Sequence, residues 1–379
     1  MKIPLYKAFT DDQDVRMVTS VLKRGSSWAI GPEVAEFERL VASYVGRKYA
    51  VSFNSGTSSL HAAMLALRVS RGDEVVVPAF TFIATANAAI FVGASPVFAD
   101  IEKTTYGLDP ESLGKAITRR TKVVIPAHIG GIVCKFAGEL EDYARGRKVI
   151  MVEDACEALG SNSEGRRAGT FGDVSVLSFC ANKLISTGEG GMVLTDRKEY
   201  YDRLKLVSSH GRLDKVPYFN SSVSPDYVDL GYNWRISSMT AALGVSQMGK
   251  LERAVVQRRR VAAKLSSRLK RIESIEVPVE PEGLRHTYQM YTVRVRGGRR
   301  ARDALNLFLS SKGINSKVYF EPIHRTRFYR EMLGDRTPHL PVTEWVSSRV
   351  LTIPVYPSMT DEEVGYTADC IGEFFARAR

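Results

Sequence analysis

Apolar and polar residues alternate along the N-terminal half of the chain in a way that predicts short strands separated by amphipathic helices. Short, mostly apolar runs that are rich in β-branched residues are typical of strands buried on both faces of a sheet. They occupy residues 49–53, 74–78, 96–98, 122–126, 149–152, 174–179 and 192–195. Apolar residues recur at helical spacing over residues 11–24, 33–45, 58–67, 84–92 and 198–208. The alternation of predicted strands and helices along the chain predicts the α/β class, with a mostly parallel sheet that carries helices on both faces.

The pattern changes in the C-terminal part of the chain. Residues 212–230 carry few regular signals and predict an exposed loop, and an apolar stripe over residues 237–271 predicts one long helix. Beyond Pro278 the order of elements is mixed, which predicts a smaller α+β unit. Its strands are predicted at residues 288–295, 315–320 and 351–355, and its helices at 301–311, 341–350 and 361–375.

Length and composition limit the class of protein. The chain has 379 residues, which exceeds an ordinary single core and predicts two domains. With 44% hydrophobic and 25% charged residues, the composition is typical of a globular protein. No stretch is apolar enough to predict a signal peptide or a membrane span, so we expect a cytoplasmic protein without a membrane partner.

The formal net charge of +11 raises the question of a nucleic-acid partner. The basic residues are dispersed, however, and their one cluster, at residues 258–260, lies within a predicted helix. Because no nucleic-acid-binding motif accompanies them, we expect no such partner, and a basic surface could equally steer an anionic substrate. The four cysteines include no C-x-x-C pair, so we expect free thiols and no metal site.

Two carboxylates and one lysine are the strongest candidates for chemistry. Glu153 and Asp154 follow the apolar residues 149–152, and open α/β sheets place active sites at the carboxyl ends of their strands. Lys183 lies between the predicted strand 174–179 and a glycine-rich turn, so we expect a partly desolvated amine with a lowered pKa that attacks carbonyl groups. This arrangement suits pyridoxal phosphate, since the lysine can form a Schiff base while the aspartate keeps the pyridine nitrogen protonated.

The same stretch carries a longer motif. It reads E-D-A-C-E-A-L-G at residues 153–160, G-T-F-G-D at 169–173 and S-F-C-A-N-K-L-I-S-T-G-E-G-G at 178–191. In these residues the chain resembles the DegT-type sugar aminotransferases of the aspartate aminotransferase superfamily, and is most similar to the perosamine-synthase-like members. The resemblance extends to G-Y-N-W-R at 231–235 and covers nearly the whole chain.

The resemblance implies the fold type I architecture of pyridoxal phosphate-dependent transferases. Residues 1–245 would form an N-terminal segment and a large cofactor-binding domain with a mostly parallel, seven-stranded sheet. Residues 246–379 would form a linking helix and a small C-terminal α+β domain. The resemblance also implies a homodimer with shared active sites, because Asn233 matches an asparagine that reaches the cofactor phosphate of the neighbouring chain. Taken alone, Asn233 is typical of a turn.

The resemblance further assigns residues to the cofactor. Lys183 would hold pyridoxal phosphate and act as the acid–base, and Asp154 would pair with the ring nitrogen. Phe82 would stack on the pyridine ring, which would hold it and exclude water, although a core position fits the sequence pattern equally well. The remaining predicted contacts are those of Gly56, Thr57 and Ser178 with the phosphate. A strand-to-helix turn of small residues at 54–57 supports the phosphate assignment, because helix N-termini bind anions.

Three nearby positions fit the family motif less well. Glu157 stands where many relatives have glutamine, near the phenolic oxygen of the cofactor, and a carboxylate there needs a proton or a donor between the two oxygens. Cys180 replaces a frequent histidine or aromatic residue and is assigned no chemistry. His128 lies just after the predicted strand at 122–126, and we interpret it as a hydrogen-bonded structural histidine rather than a cofactor contact.

These residues predict an aminotransferase that moves an amino group from an amino acid, in this family usually L-glutamate, to a nucleotide-linked 4-keto-6-deoxysugar. The family also includes enzymes for 3-ketosugars, keto-octulosonates and ketocyclitols, and the motifs do not distinguish among these acceptors. Lys183 argues against the deoxygenating dehydratases of the family, which carry histidine there. Two other classes stay open: a lyase or decarboxylase on the same fold, and a non-catalytic sensor that binds pyridoxal phosphate or a sugar nucleotide.

Overall fold

The computed structural model describes residues 1–213, 222 and 224–377. Its strands are β1 (Tyr49–Phe53), β2 (Glu74–Pro78), β3 (Ser95–Ala99), β4 (Thr121–Val124), β5 (Ile150–Asp154), β6 (Asn162–Ser163), β7 (Arg166–Arg167), β8 (Val174–Ser178), β9 (Gly191–Thr195), β10 (Arg212–Leu213), β11 (Asp226–Tyr227), β12 (Ile275–Glu276), β13 (Leu284–Arg285), β14 (Tyr291–Val295) and β15 (Val350–Ile353). Its helices are α1 (Asp12–Arg24), α2 (Pro32–Val45), α3 (Gly56–Ala66), α4 (Ile83–Phe91), α5 (Pro110–Ala116), α6 (Ala137–Gly146), α7 (Lys198–Ser208), α8 (Ser238–Met248), α9 (Leu251–Leu269), α10 (Gly298–Ser311), α11 (Arg327–Leu333), α12 (Pro341–Ser347) and α13 (Asp361–Arg377). Short 3₁₀ turns at Ile323–Arg325 and Gly334–Arg336 flank α11.

Seven strands form one large sheet in the order β1–β9–β8–β5–β4–β2–β3. All neighbours from β8 to β3 are parallel, whereas β9 runs antiparallel to both β8 and β1. Parallel neighbours cannot be joined by a hairpin and need a crossover, which accounts for the helices α3 to α6 between β1 and β5. The crossover from β5 to β8 contains the short strands β6 and β7 in place of a helix. The predicted α/β class and the mostly parallel seven-stranded sheet are therefore confirmed.

The central strands are apolar on both faces of the sheet. Met151 and Leu177 belong to the core that α2 and α6 cover. Their neighbours Val152 and Val176 belong to the core that α3, α4 and α7 cover. Because successive side chains of a strand point to opposite faces, a strand covered on both sides reads as a continuous apolar run. This is the physical reason why the sequence pattern located these strands well.

The C-terminal part of the chain has a separate antiparallel sheet of three strands in the order β12–β14–β15. Tyr291, Val293 and Val295 of β14 are buried in a core that also receives side chains from α9, α10 and α13. Ile3, near the N-terminus, joins the same core and is 1% exposed. The N-terminal segment thus packs against the C-terminal sheet. The predicted division of the chain after residue 245 stays a prediction.

Three sequence-based expectations of local structure are wrong in part. The helix predicted over residues 237–271 is two helices, α8 and α9, separated at Gly249 and Lys250. Lys250 leaves helical geometry there and its buried ammonium contacts the carboxylates of Asp11 and Asp14, which compensates for the charge. The predicted strand at 315–320 contributes only an isolated bridge, between Lys317 and Thr352.

The third of these expectations concerns the loop predicted over residues 212–230. Within it, β10 pairs with β11, so part of the segment has regular structure. Residues 214–221 and 223 lie outside the described residues. No described helix combines the length and the hydropathy that crossing a bilayer requires.

Candidate active site

The carboxyl ends of the parallel strands open onto a cleft of about 480 Å³. This size is typical of small-molecule sites, and the position is the one that open α/β sheets use for chemistry. Seven of the eight residues that the sequence assigned to the site line this cleft: Gly56, Thr57, Phe82, Asp154, Glu157, Ser178 and Lys183. The eighth, Asn233, does not line it.

Lys183 lies on a tight loop between β8 and β9. The loop is closed at its base, where the Phe179 amide donates to the Gly190 carbonyl at 2.9 Å and the Thr187 amide donates to the Phe179 carbonyl at 2.9 Å. The Lys183 side chain is 14% exposed, and its Nζ lies 3.3 Å from Oε1 of Glu157. The loop between β8 and β9 therefore places the Lys183 amine inside the cleft and not in solvent.

The electrostatic surroundings of Lys183 differ from the sequence-based expectation. Burial alone would lower the pKa of the amine, as expected for a desolvated lysine. The charge and hydrogen bond of Glu157, together with the charge of Asp154, outweigh burial and raise the pKa of Lys183 above its ordinary value. The expectation of a lowered pKa is wrong because the sequence does not show how close these carboxylates lie.

Asp154 is held by donors on two sides. The Thr85 hydroxyl donates to Oδ2 at 2.6 Å, and the Cys156 amide donates to Oδ1 at 3.2 Å. Because Thr85 uses its proton on the carboxylate, the hydroxyl of Thr81, 3.0 Å away, must donate to Thr85. This chain of hydroxyls fixes the rotamer of a carboxylate that is 7% exposed. Sequence reasoning missed Thr85, whose role depends on a contact across 69 positions.

Glu153 points away from the cleft, although it is the neighbour of Asp154. Its buried carboxylate accepts hydrogen bonds from the amides of Gly169 at 2.8 Å, Phe171 at 2.6 Å and Gly172 at 3.0 Å. It also contacts Nε2 of His128 at 2.9 Å. Since alternate residues of a strand face opposite sides, only one of the two adjacent acids can reach the cleft.

His128 is a structural residue at this point of the fold. Its Nδ1 accepts a hydrogen bond from the Cys134 amide at 3.1 Å, so Nε2 carries the proton and donates to Glu153. The His128 side chain is fully buried. These contacts agree with the sequence-based interpretation of His128 as a hydrogen-bonded histidine. His128 also lines the cleft, so the expectation that it does not contact a cofactor stays a prediction.

The Glu153 network predicts a pH-dependent stability. Burial would raise the pKa of Glu153, but the His128 hydrogen bond, the nearby Arg47 charge and the backbone amides lower it below the ordinary 4.5. A lowered folded-state pKa stabilises the protein above about pH 4.5, and this contribution is lost as the pH falls further. We expect Glu153→Gln to reduce the free energy of unfolding by about 3 kcal/mol at neutral pH.

Denaturant unfolding between pH 3 and pH 7 measures both effects. At neutral pH the free energy of unfolding is expected to be higher for the wild type than for Glu153→Gln. This difference should shrink as the pH falls, because only the wild type has a carboxylate that takes up a proton at position 153. A constant difference between the two proteins across this range would contradict the assignment. Glu141→Gln, which removes a carboxylate from the surface helix α6, is the control.

The N-terminus of α3 forms a cradle at one end of the cleft. Ser55 caps the helix by accepting a hydrogen bond from the Ser58 amide at 3.0 Å. Among the described residues, the Gly56 and Thr57 amides have no protein acceptor and lie at the positive end of the helix. A Cβ at Gly56 would lie 3.0 Å from Cβ and 3.3 Å from Oγ of Ser178. The small residue thus keeps open a space lined by amides and a hydroxyl, which suits a phosphate.

The glycine-rich turn after Lys183 also serves this cradle. A Cβ at Gly191 would come within 2.3 Å of the Ser55 carbonyl and 2.4 Å of the Ser59 hydroxyl. Only glycine lets β9 pack this closely on the start of α3. The end of the loop that carries Lys183 therefore packs directly on the cradle at the start of α3.

Phe82 and Asn233 take different positions relative to the cleft. Phe82 precedes α4 and is 58% exposed where it lines the cleft, so the alternative of a core position is excluded. Its stacking on a cofactor ring stays a prediction. Asn233 is exposed, and its neighbour Trp234 accepts a hydrogen bond from the Asn54 amide at 2.7 Å. Its predicted role in the site of a second chain also stays a prediction.

Residues from both ends of the chain line the cleft and were missed by sequence reasoning. Tyr6 comes from the N-terminal segment, and Lys317, Tyr319 and Phe320 come from the segment before α11. Although residues 319–324 resemble a family pattern, the sequence assigned none of these four residues to the site, because they meet the cleft only after the C-terminal sheet has packed. Among the described residues, no group of three histidine, cysteine or acidic side chains is placed to hold a metal ion.

The residues of the cleft fit pyridoxal phosphate. This cofactor carries an aldehyde, a basic ring nitrogen and a phosphate, and each needs a different protein group. The cleft offers a buried amine in Lys183, a fixed carboxylate in Asp154 and a glycine cradle at a helix N-terminus. Phe82 adds an exposed aromatic ring to the lining of the cleft.

Comparison with known proteins agrees with this arrangement. Residues 9–372 match the DegT/DnrJ/EryC1/StrS aminotransferase family. The chain is 32% identical to the GDP-perosamine synthase of Escherichia coli O157:H7 over 376 residues, which covers 99% of each protein. Helicobacter pylori PseC, an aminotransferase involved in the biosynthesis of pseudoaminic acid, has a TM-score of 0.91 at 26% identity over 100% of both chains. NtdA of Bacillus subtilis, solved with bound cofactor PMP, has a TM-score of 0.86 at 27% identity, over 97% of this chain and 83% of NtdA.

Proposed function

The chain belongs to the DegT/DnrJ/EryC1/StrS aminotransferase family and is a pyridoxal phosphate-dependent transaminase, and we propose that it transfers an amino group from L-glutamate to a nucleotide-linked 4-keto-6-deoxysugar. The observation that carries the proposal is the presence of the Lys183 amine and the Asp154 carboxylate in one cleft, beside a glycine cradle at a helix N-terminus. The likeness to a GDP-perosamine synthase along nearly the whole of both chains supports the choice of acceptor.

We assign proton transfer to Lys183. When bound, pyridoxal phosphate would store the amino group between the two half-reactions and delocalise the electrons left by the broken C–H bond. The Lys183 amine would take the proton from the α-carbon of the donor and, in the second half-reaction, deliver a proton to the acceptor carbon. Backbone hydrogen bonds fix the loop that carries the Lys183 side chain, so the amine would act from the same loop position in both steps.

Asp154 and Glu157 would each control charge at one point of the cleft. Asp154 would accept a charge-assisted hydrogen bond from the protonated ring nitrogen, with Thr85 holding the carboxylate in place. Glu157 accepts the Gly130 amide at 3.0 Å and lies 3.3 Å from Nζ of Lys183, so it would stabilise the protonated lysine whenever that amine is free. Glu157, which stands where many relatives have glutamine, is thus paired with Lys183.

The acceptor is tested by supplying the holoenzyme with L-glutamate and a panel of ketosugars. The panel contains nucleotide-linked 4-keto-6-deoxysugars, nucleotide-linked 3-ketosugars, a keto-octulosonate and a ketocyclitol. We expect an aminated 4-keto-6-deoxysugar and one 2-oxoglutarate for each amino group transferred, measured by mass spectrometry. Preference for another acceptor would overturn the proposed substrate, and release of carbon dioxide or ammonia in place of amino transfer would overturn the reaction class.

We further propose that two copies of the chain complete each active site. Asn233 is exposed and outside its own cleft, yet the segment around it is hydrogen-bonded to Asn54, directly before the phosphate cradle. An exposed amide beside the cradle of one chain could reach the same cradle of a two-fold partner, because a two-fold interface brings like surfaces together. The geometry favours Asn233 as a phosphate donor supplied by the other chain.

Complementation between two inactive variants tests this sharing. Asn233→Ala and Lys183→Ala should each have low activity, whereas dimers formed from both should carry one intact site. After denaturation and refolding as a 1:1 mixture, we expect about one quarter of wild-type activity, since roughly half of the dimers are mixed and each has one intact site of two. Separately refolded samples are the control. Full activity in a monomer, shown by light scattering, would contradict the proposal.

A further inference from the structure

The mouth of the cleft carries a cation that has no part in the roles of Lys183, Asp154 and Glu157. Among the described residues that line the cleft, the lysines are Lys183 and Lys317. Lys183 is paired with Glu157, whereas Lys317 is exposed and has no carboxylate within ion-pair distance among the described residues. Its ammonium lies 5.0 Å from the centre of the Tyr319 ring, which also lines the cleft. An unpaired cation at the entrance of a small-molecule site is a candidate for binding an anion.

Lys317 is held in place by the backbone. Its amide donates to the Thr352 carbonyl at 3.0 Å, and the Thr352 amide donates to the Lys317 carbonyl at 2.8 Å. Thr352 belongs to β15, a fully buried strand of the C-terminal sheet. The origin of the Lys317 side chain is therefore fixed relative to the cleft, and only the side chain itself must be ordered when a ligand binds.

The N-terminal segment places an aromatic residue at the same mouth. The Ile3 amide donates to the Gly313 carbonyl and the Asn315 amide donates to the Ile3 carbonyl, both at 2.9 Å. Ile3 is buried, and three residues later Tyr6 is 42% exposed where it lines the cleft. Gly313 has a φ of +78°, and a Cβ there would lie 2.3 Å from the Met1 carbonyl. Glycine is therefore the residue type that allows the N-terminal segment to lie this close to position 313.

We propose that Lys317, together with Tyr6 and Tyr319, forms the subsite for the diphosphate-bearing part of the acceptor. The inference rests on the proposed function, because a nucleotide-linked sugar brings two phosphates to the mouth of the cleft while its ketone reaches Lys183. The ammonium of Lys317 makes a charge-assisted hydrogen bond to a phosphate oxygen, and the tyrosines offer hydroxyl donors and ring faces. The amino acid donor carries no phosphate, so the subsite acts in the acceptor half-reaction alone.

The two half-reactions of the holoenzyme separate this role from a general one. For Lys317→Ala we expect KM for the ketosugar nucleotide to rise roughly 10- to 100-fold, the loss expected for one hydrogen bond to a charged group. The rate and KM of the L-glutamate half-reaction, followed by absorbance in single-turnover experiments, should change less than about twofold, since Lys317 would not contact this substrate. Lys317→Arg should restore most of the acceptor affinity. Lys115→Ala on the distant helix α5 is the control for net charge.

Calorimetric titration of the holoenzyme with GDP, UDP and dTDP gives a readout that does not depend on turnover. For the nucleoside diphosphate that binds the wild type most tightly, Lys317→Ala should raise Kd by roughly 10- to 100-fold. Added salt should also raise Kd less in this variant than in the wild type, because one charge that binds the phosphates is gone. Tyr6→Ala should weaken the same ligand without changing its salt dependence. Equal losses in both half-reactions, or unchanged nucleoside diphosphate binding in Lys317→Ala, would overturn the subsite. Failure of wild-type enzyme to aminate any nucleotide-linked sugar would overturn the proposed function instead, while the diphosphate titration still decides the role of Lys317.

Discussion

Lys183→Ala is expected to lower kcat by at least about a thousandfold, because it removes both the nucleophile and the proton carrier. No other described lysine in the cleft can replace it, since Lys317 lies at the mouth and is held there by β15. The loop should keep its conformation, because it is closed by backbone hydrogen bonds of Phe179, Thr187 and Gly190 that do not involve the side chain. The largest loss should therefore appear in turnover, with a smaller loss of stability because Glu157 is left without its ammonium partner.

Three measurements check this expectation. Borohydride reduction of the wild-type holoenzyme, followed by peptide mass spectrometry, should place a pyridoxyl group on Lys183, and the alanine variant should carry none. A small amine such as methylamine should restore part of the turnover of Lys183→Ala by replacing the missing base. Lys183→Arg, which keeps the charge but is not a usable nucleophile, should stay inactive. Bound cofactor absorbance and turnover retained in Lys183→Ala would disprove the assignment.

Asp154→Asn is expected to lower kcat by roughly two to three orders of magnitude, the loss that follows when one partner of a buried ionic contact is removed. An amide cannot stabilise a protonated ring nitrogen as a carboxylate does, so the electrons of the broken C–H bond lose their sink. The backbone of β5 is held on both sides by parallel neighbours, and the substitution is nearly isosteric. We therefore expect cofactor binding to weaken less than turnover falls.

Thr85 supplies the matched control for Asp154. Thr85→Val removes the hydroxyl that donates to Oδ2 of Asp154 at 2.6 Å and should lower kcat about tenfold, the value of one hydrogen bond to a charged group. Thr85→Ser keeps the hydroxyl and should be close to wild type. The absorbance spectrum of the bound cofactor at several pH values should shift in Asp154→Asn and remain unchanged in Thr85→Ser. An Asp154→Asn enzyme with wild-type turnover would remove aspartate from the mechanism.

The adjacent acids Glu153 and Asp154 show how the fold assigns chemistry. Both follow the same apolar run, and sequence reasoning placed both at a strand end without separating them. In the structure Glu153 is enclosed by backbone amides and His128, whereas Asp154 faces the cleft and Thr85. Strand alternation makes this separation unavoidable, and the direction of β5 decides which acid performs which role.

The predictions that succeeded depend on local spacing. β1 and β2 match the predicted ranges residue for residue, because strands buried on two faces need continuous apolar runs. The predictions that failed depend on distant partners. The pattern over residues 237–271 predicted one helix. In the structure the helix is interrupted before Leu251, where the ammonium of Lys250 pairs with Asp11 and Asp14. Residues 315–320 read as a strand, but they find only an isolated bridge to Thr352.

The order of residues by itself determined the strands of the large sheet, four of the helices that cover it (α2, α3, α4 and α7) and the lysine, aspartate and glycine turn of the cleft, because these follow from periodicity and from a motif contained in one stretch. Only the tertiary structure decided that Glu157 pairs with Lys183 and raises its pKa, that Thr85 orients Asp154, and that Lys317 and Tyr6 stand at the mouth. These last features depend on distances between residues far apart in the chain. Such distances are set by how the N-terminal segment and the C-terminal sheet pack around the cleft, and no local pattern encodes them.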